Sequence, residues 1–167
     1  MVAVDTDANP PDDPADAAAL AGYALALHEA VTAALPGWVE RVVAQRWRAG
    51  TGQPPPDELA AAGRAAGQRA LDEAGPALLS LLEADVEQQR TNPLALLRQA
   101  ARHATEALVA AGLPPVPRDE QAQRLHPHDL YDLGPAAFAD LGPSAHEAGL
   151  TWGAAKAHVV MARHRRP

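Results

Sequence analysis

His126, His128, Asp129, Asp132 and His146 crowd the last third of the chain. Imidazole nitrogens and carboxylate oxygens are the donors that zinc or another divalent ion takes. Pro127 favours extended backbone on either side, which turns His126 and His128 the same way. Metal sites carried on a helix show ligands at i and i+3 or i+4, as in H-E-x-x-H, and that spacing is missing here. A full shell would also need ligands from elsewhere. His126, His128, Asp129 and Asp132 therefore stand as one alternative, a metal or small-ligand segment, beside the plainer reading of solvated loop histidines.

Acid–base chemistry has weaker carriers. Glu83, Asp85 and Glu87 are spaced by two residues, which scatters them around a helix instead of pairing them. Asp129 and Asp132 share a face only if 127–132 forms a helical turn. Paired carboxylates become an acid and a base when burial separates their pKa values, and a sequence does not show burial. Ser80 and Ser144 are the serines of the chain, and neither lies in G-x-S-x-G. Neither G-x-G-x-x-G nor G-x-x-x-x-G-K-[ST] occurs. With 0 cysteines, thiolate nucleophiles, CxxC pairs and disulfides are excluded. The motifs argue against an enzyme, and no cofactor is expected.

Two further groupings could bind. Arg90, Asn92, Arg118, Asp119, Asp129 and Tyr131 would converge if 117–133 ran back beside a helix over 93–111; joined by an exposed Trp152, they would make a partner-binding surface. Internal salt bridges and caps are the competing use. Lys156, Arg163, Arg165 and Arg166, with His158 and His164, give the carboxy-terminal helix a basic end. Such a tail suits phosphate contact, a weak nucleic-acid alternative, or equally the negative end of a helix dipole. A formal net charge of −7 opposes general attraction to nucleic acid or anionic lipid.

These residues must be positioned by helices. Leu20, Ala24, Leu27, Val31, Leu35, Trp38 and Val42 recur at three and four residues, and the stripe keeps phase through Pro36-Gly37. It predicts a kinked helix or two collinear ones, started at Asp16 and ending near Gly50. After the 50-GTGQPPPD-57 loop, with Asp57 as cap, Leu59, Ala62, Ala66, Leu71, Leu78, Leu82 and Val86 repeat the device through Gly75-Pro76. A third arm has Asn92 as N-cap and Pro93 as first residue. It turns Leu94, Leu97, Ala101, Ala104, Leu108 and Ala111 inward and stops at Gly112, with Leu113 packing back.

Beyond 116 short helices are expected at 118–125, 135–141 and 143–148, with a last one at 151–165 capped by Thr151. Asp-Leu-Gly-Pro occurs twice there, at 132–135 and 140–143. It reads as punctuation: leucine seals a turn, glycine supplies a positive φ, and proline starts the next helix.

Composition sets the frame. The 167 residues suffice for one domain. Hydrophobic residues make up 47% but aromatics only 4%, so alanine must build the core by close helix approach. No apolar run is expected to reach the roughly 18–20 residues of a membrane span. The amino terminus lacks the pattern of a secretory signal. The location expected is cytoplasmic.

The phrases EQQRTNPLALLRQA (87–100), GLPPVPRDE (112–120), RLHPHDLYDLGPAAFADLGP (124–143) and GLTWGAAKAH (149–158) resemble a family of small, uncharacterised helical proteins of actinobacteria. The resemblance spans about residues 30–165 and is strongest from 87 onward. It implies an intracellular bacterial protein and brings no activity, cofactor or site residue with it.

The resulting expectation is an all-α chain. Residues 1–14 form a disordered acidic tail, and 15–167 form a single helical domain. Within that domain, 15–113 supply about three long, proline-notched bundle arms and 114–167 a cap of short helices. Its function is expected to be non-catalytic, an adaptor or regulator binding another protein, with homo-oligomer formation left open.

Overall fold

The computed structural model describes residues 14–83, 93–115 and 134–165, together with Arg124. The fold is all-α, with no strand among the described residues. Its helices are α1 (Pro14–Thr51), α2 (Asp57–Glu83), α3 (Pro93–Ala100), α4 (Arg102–Ala110) and α5 (Pro143–His164), with a short 3₁₀ turn at Phe138–Asp140. Residues 1–13, 84–92 and most of 116–133 lie outside the described residues. They hold Asn92, Val86 and all but Arg124 of the helix expected at 118–125.

Helix α1 is the axis of the molecule, touching α2, α4 and α5. It is one helix of 38 residues with Pro36 inside it. Asp16 lies in its first turn and Arg48 in its last, each matching the sign of the dipole. Ala24, Leu27, Val31 and Val39 are fully buried along its stripe, which shifts onto Val39 and Val43 beyond the proline and leaves Val42 partly covered. The span expectation needs correcting here. Glu29 is the one Asp, Glu, Lys or Arg between Asp16 and Glu40. Within Asp16–Thr51 an 18-residue window reaches a mean hydropathy of 1.4, the length and composition of a membrane-crossing helix. Its alanines and glycines disguised it. In this fold the stripe serves as core.

Helix α2 runs antiparallel to α1, seated by its small residues. Gly63, Ala66, Gly67, Ala70, Ala74 and Gly75 are all buried, with Leu59, Leu78 and Leu82. Glycines that read as interruptions are contact surface. A Cβ on Gly67 would lie 2.6 Å from the Pro36 carbonyl oxygen, so the two backbones touch. Asp57 is the first residue of α2, not its cap; the Pro56 carbonyl accepts the first bond, from Ala60 N at 2.9 Å.

The third arm is divided at Ala101. Its φ of −65° and ψ of −12° stay near helical, but Ala104 N bonds Ala101 O three residues back, a local 3₁₀ tightening. Leu97, Ala101, Ala104 and Leu108 are buried as expected, Leu94 is partly covered, and Ala111 is exposed. Gly112 has φ +94° and Leu113 N donates to Leu108 O at 3.0 Å, the glycine stop the sequence indicated. Leu113 then packs on Gly50, joining the ends of α4 and α1.

The carboxy-terminal region differs most from expectation. Residues 143–164 form one 22-residue helix. Thr151 lies within it, its hydroxyl donating to Glu147 O at 3.1 Å, and caps nothing. The two Asp-Leu-Gly-Pro copies are not equivalent. In the second, Leu141 is buried, Gly142 has φ +140°, and Pro143 opens α5. In the first, Gly134 has no positive φ and Pro135 starts no helix. Asp140 of the second copy ties that turn instead, accepting from Ala136 N and Ala137 N at 2.8 and 3.0 Å. The helix expected at 135–141 shrinks to the three-residue turn Phe138–Asp140, whose phenyl ring packs on Gly149.

Candidate functional site

Among the described residues, the largest gathering of ionisable side chains joins α2 to α4, and the sequence reading did not single it out. His103 is the one buried polar residue among those described, 9% exposed. Its Nε2 lies 2.8 Å from Glu73 Oε2, while Arg102 bonds the other oxygen of the same carboxylate. On the far side His103 Nδ1 stands 3.3 Å from Glu106 Oε2 without the alignment of a hydrogen bond, and Arg102 Nε is 3.7 Å from Glu106 Oε1. The Arg102 guanidinium, bonded to Glu73, holds that carboxyl below its ordinary range against the opposing effect of burial.

This cluster resembles a histidine oriented by a carboxylate, with Nε2 bonded to Glu73 and Nδ1 buried beside Glu106 without a hydrogen bond. It fastens α2 to α4. The signal available in sequence was the Arg102-His103-x-x-Glu106 spacing; Glu73, thirty positions earlier, is supplied by the packing of two helices.

His28 is a second histidine bound into the frame. Its Nε2 lies 2.8 Å from the Gly75 carbonyl oxygen, beside the proline notch of α2. Among the described residues no group of three or more histidines or carboxylates is arranged to hold a metal ion.

The candidates marked in the sequence are distributed as follows. Arg90, Asn92, Arg118, Asp119, His126, His128, Asp129, Tyr131 and Asp132 lie outside the described residues. His146 is exposed near the start of α5. Trp152 is a core residue at 7% exposure, so its indole offers no exposed anchor; Lys156 Nζ stands 4.9 Å above the ring. Burial holds that ammonium's pKa below the lysine range. Trp47 is partly buried against the same core.

An apolar trough opens between the start of α1 and the middle of α5, about 610 Å³ in volume. Asp16, Leu20 and Tyr23 form one wall, and Leu150, Ala154 and His158 the other. Its outer side chains are poorly covered: Leu150 is 62% exposed and Tyr23 41%. Leu25 and Met161, also exposed, belong to the same two helices. Exposed large apolar side chains at a groove are the usual material of a contact surface. Sequence reasoning missed the trough because α5 had been divided at Thr151, in the middle of one wall.

No protein-family profile, curated protein or solved structure matches this chain.

Proposed function

We propose that this chain is a non-catalytic protein-binding module, of adaptor or regulator type, that receives its partner in the α1–α5 trough. One observation carries the reading: among the described residues, two of the large hydrophobic side chains left exposed, Tyr23 and Leu150, face each other across it. An amphipathic helix laid into such a trough is a recurring mode of recognition. The ionic cluster on the α2–α4 side supports a frame instead of a reaction, since its hydrogen bonds tie one helix to the other. A cytoplasmic setting belongs to the same proposal. Affinity purification from the source cells, wild type against Leu150→Asp, tests it. Partners lost with the variant support the trough as docking surface; identical partners for both proteins remove it. Leu150 is chosen over Trp152 because a core substitution would report on folding.

A further inference from the structure

The loop between α1 and α2 carries three consecutive prolines, Pro54, Pro55 and Pro56, after Gln53. Each ring fixes φ at about −65°, and a residue followed by proline is pushed out of the α region toward extended backbone. Gln53, Pro54 and Pro55 all stand in that position, so local sterics favour the polyproline II form over 53–56. The three prolines make one turn of it, about 9 Å long. Pro54 and Pro56 are exposed and Pro55 is half-buried, so two rings are turned outward. The Pro56 carbonyl accepts from Ala60 N at 2.9 Å, whereas no hydrogen bond among the described residues ends on the carbonyls of Pro54 or Pro55. The segment is also held from its α1 side. Thr51 Oγ1 donates to Trp47 O at 2.7 Å and accepts from Gln53 N at 3.2 Å. Gly52, at φ +71°, turns the chain and donates its N–H to Arg48 O at 2.8 Å. Behind the loop Gly63 packs on Val43 and sets α2 against α1. Joining two antiparallel helices does not require any of this, since two to about eight residues of ordinary turn chemistry suffice.

We propose that residues 53–56 are a recognition ridge for a second protein, one that carries an aromatic-lined groove of the kind that reads proline-rich segments. Such grooves seat proline rings between aromatic side chains and gain from a ligand already in the polyproline II form. Tyrosine hydroxyls and indole N–H groups in the groove are donors that need acceptors, and the Pro54 and Pro55 carbonyls supply them. Because the prolines and the Thr51–Gln53 bonds fix the segment before any partner arrives, little conformational freedom is lost on binding. The ridge is a different surface from the trough. From Tyr23 in the trough wall to Thr51 beside the ridge is about 42 Å of helix, so the two sites stand or fall separately.

The test uses the immobilised full chain, extract of the source cells, and a synthetic proline decapeptide as competitor, with an alanine-glycine decapeptide as control. A protein displaced by the proline peptide and not by the control is then purified and titrated against the full chain. Pro54→Ala/Pro56→Ala should raise its dissociation constant at least about fivefold, with the far-ultraviolet circular dichroism of the wild type retained. Leu150→Asp should leave that constant unchanged. The competition arm needs no variant, so it decides even where the double substitution disturbs the helix pair. If the proline peptide displaces nothing, or the displaced protein binds the double variant as tightly as the wild type, the proposal is overturned. A partner lost with Leu150→Asp and indifferent to the proline peptide belongs to the trough, and also overturns the ridge.

Discussion

Gly67 lies directly on Pro36: a methyl group added to the glycine would stand 2.6 Å from the proline's carbonyl oxygen and 3.0 Å from its Cα. Each residue viewed within its own helix is a defect. Proline removes a hydrogen bond and glycine costs helix propensity. Stacked, they let two backbones meet where no side chain fits, and α1 and α2 pack at that point.

Gly67→Ala should therefore destabilise the protein although alanine is the better helix former. The obstruction is backbone, which cannot swing aside, and overpacking of this kind costs about 1–3 kcal/mol. Gly22→Ala is the control. It is a helical glycine with nothing within 4 Å, and should stabilise by about 0.5–1 kcal/mol. Urea unfolding of both variants checks the pair; equal signs would refute the contact.

Replacing a large core residue should cost more than the composition of the core suggests. Among the described residues, Leu27, Leu35, Leu78 and Leu97 are the largest side chains that are fully buried, in a core otherwise rich in alanines that cannot extend to fill a void. Leu78→Ala should cost about 3–5 kcal/mol, the upper part of the usual range. Thermal unfolding followed by circular dichroism measures it.

The ionic cluster should make stability sensitive to acid. Glu73 has a folded-state pKa below the ordinary carboxyl value of 4.5, chiefly through its hydrogen bond from Arg102. A depressed carboxyl stabilises the folded state above the unfolded pKa, and that contribution is lost as pH falls through 4.5 toward the folded value. Urea midpoints should decline over that window, and Glu73→Gln should flatten the decline. The Glu73 and Arg102 side chains are 29% and 27% exposed, so solvent limits the coupling to about 1 kcal/mol in a double-mutant cycle.

The two glycines of the repeated Asp-Leu-Gly-Pro phrase should respond differently. Gly142→Ala meets no neighbour but must hold φ +140°, at a cost of about 1–3 kcal/mol. Gly134→Ala has no such strain and meets the Arg98 side chain, its Cβ falling 2.6 Å from Cγ. Truncating that chain in Gly134→Ala/Arg98→Ala should recover part of the loss, whereas Gly142→Ala should gain nothing from it. Chemical denaturation of each glycine variant, with and without Arg98→Ala, decides.

How far the sequence reached depended on which forces were local. The α1 stripe was legible because burial at three- and four-residue spacing is written in the chain itself. So was the stop at Gly112, where a positive φ, a following leucine and two prolines all act within a few residues. The same local reading misjudged α5. Gly149 and Gly153 weaken a helix, and Thr151 suggested a new start. Phe138 packed on Gly149 and Trp152 sunk in the core hold the segment together instead.

By itself, then, the sequence determined the helical class, the phase of the long α1 stripe and the need for close approach imposed by so much alanine. It excluded cysteine chemistry outright. Tertiary structure decided the rest: which glycines are contacts, that Glu73 meets Arg102 and His103, and that the start of α1 meets the middle of α5 along a trough. The division has a physical cause. Periodicity and turn geometry are properties of neighbouring residues, whereas register and enclosure depend on where two distant helices come to rest against each other.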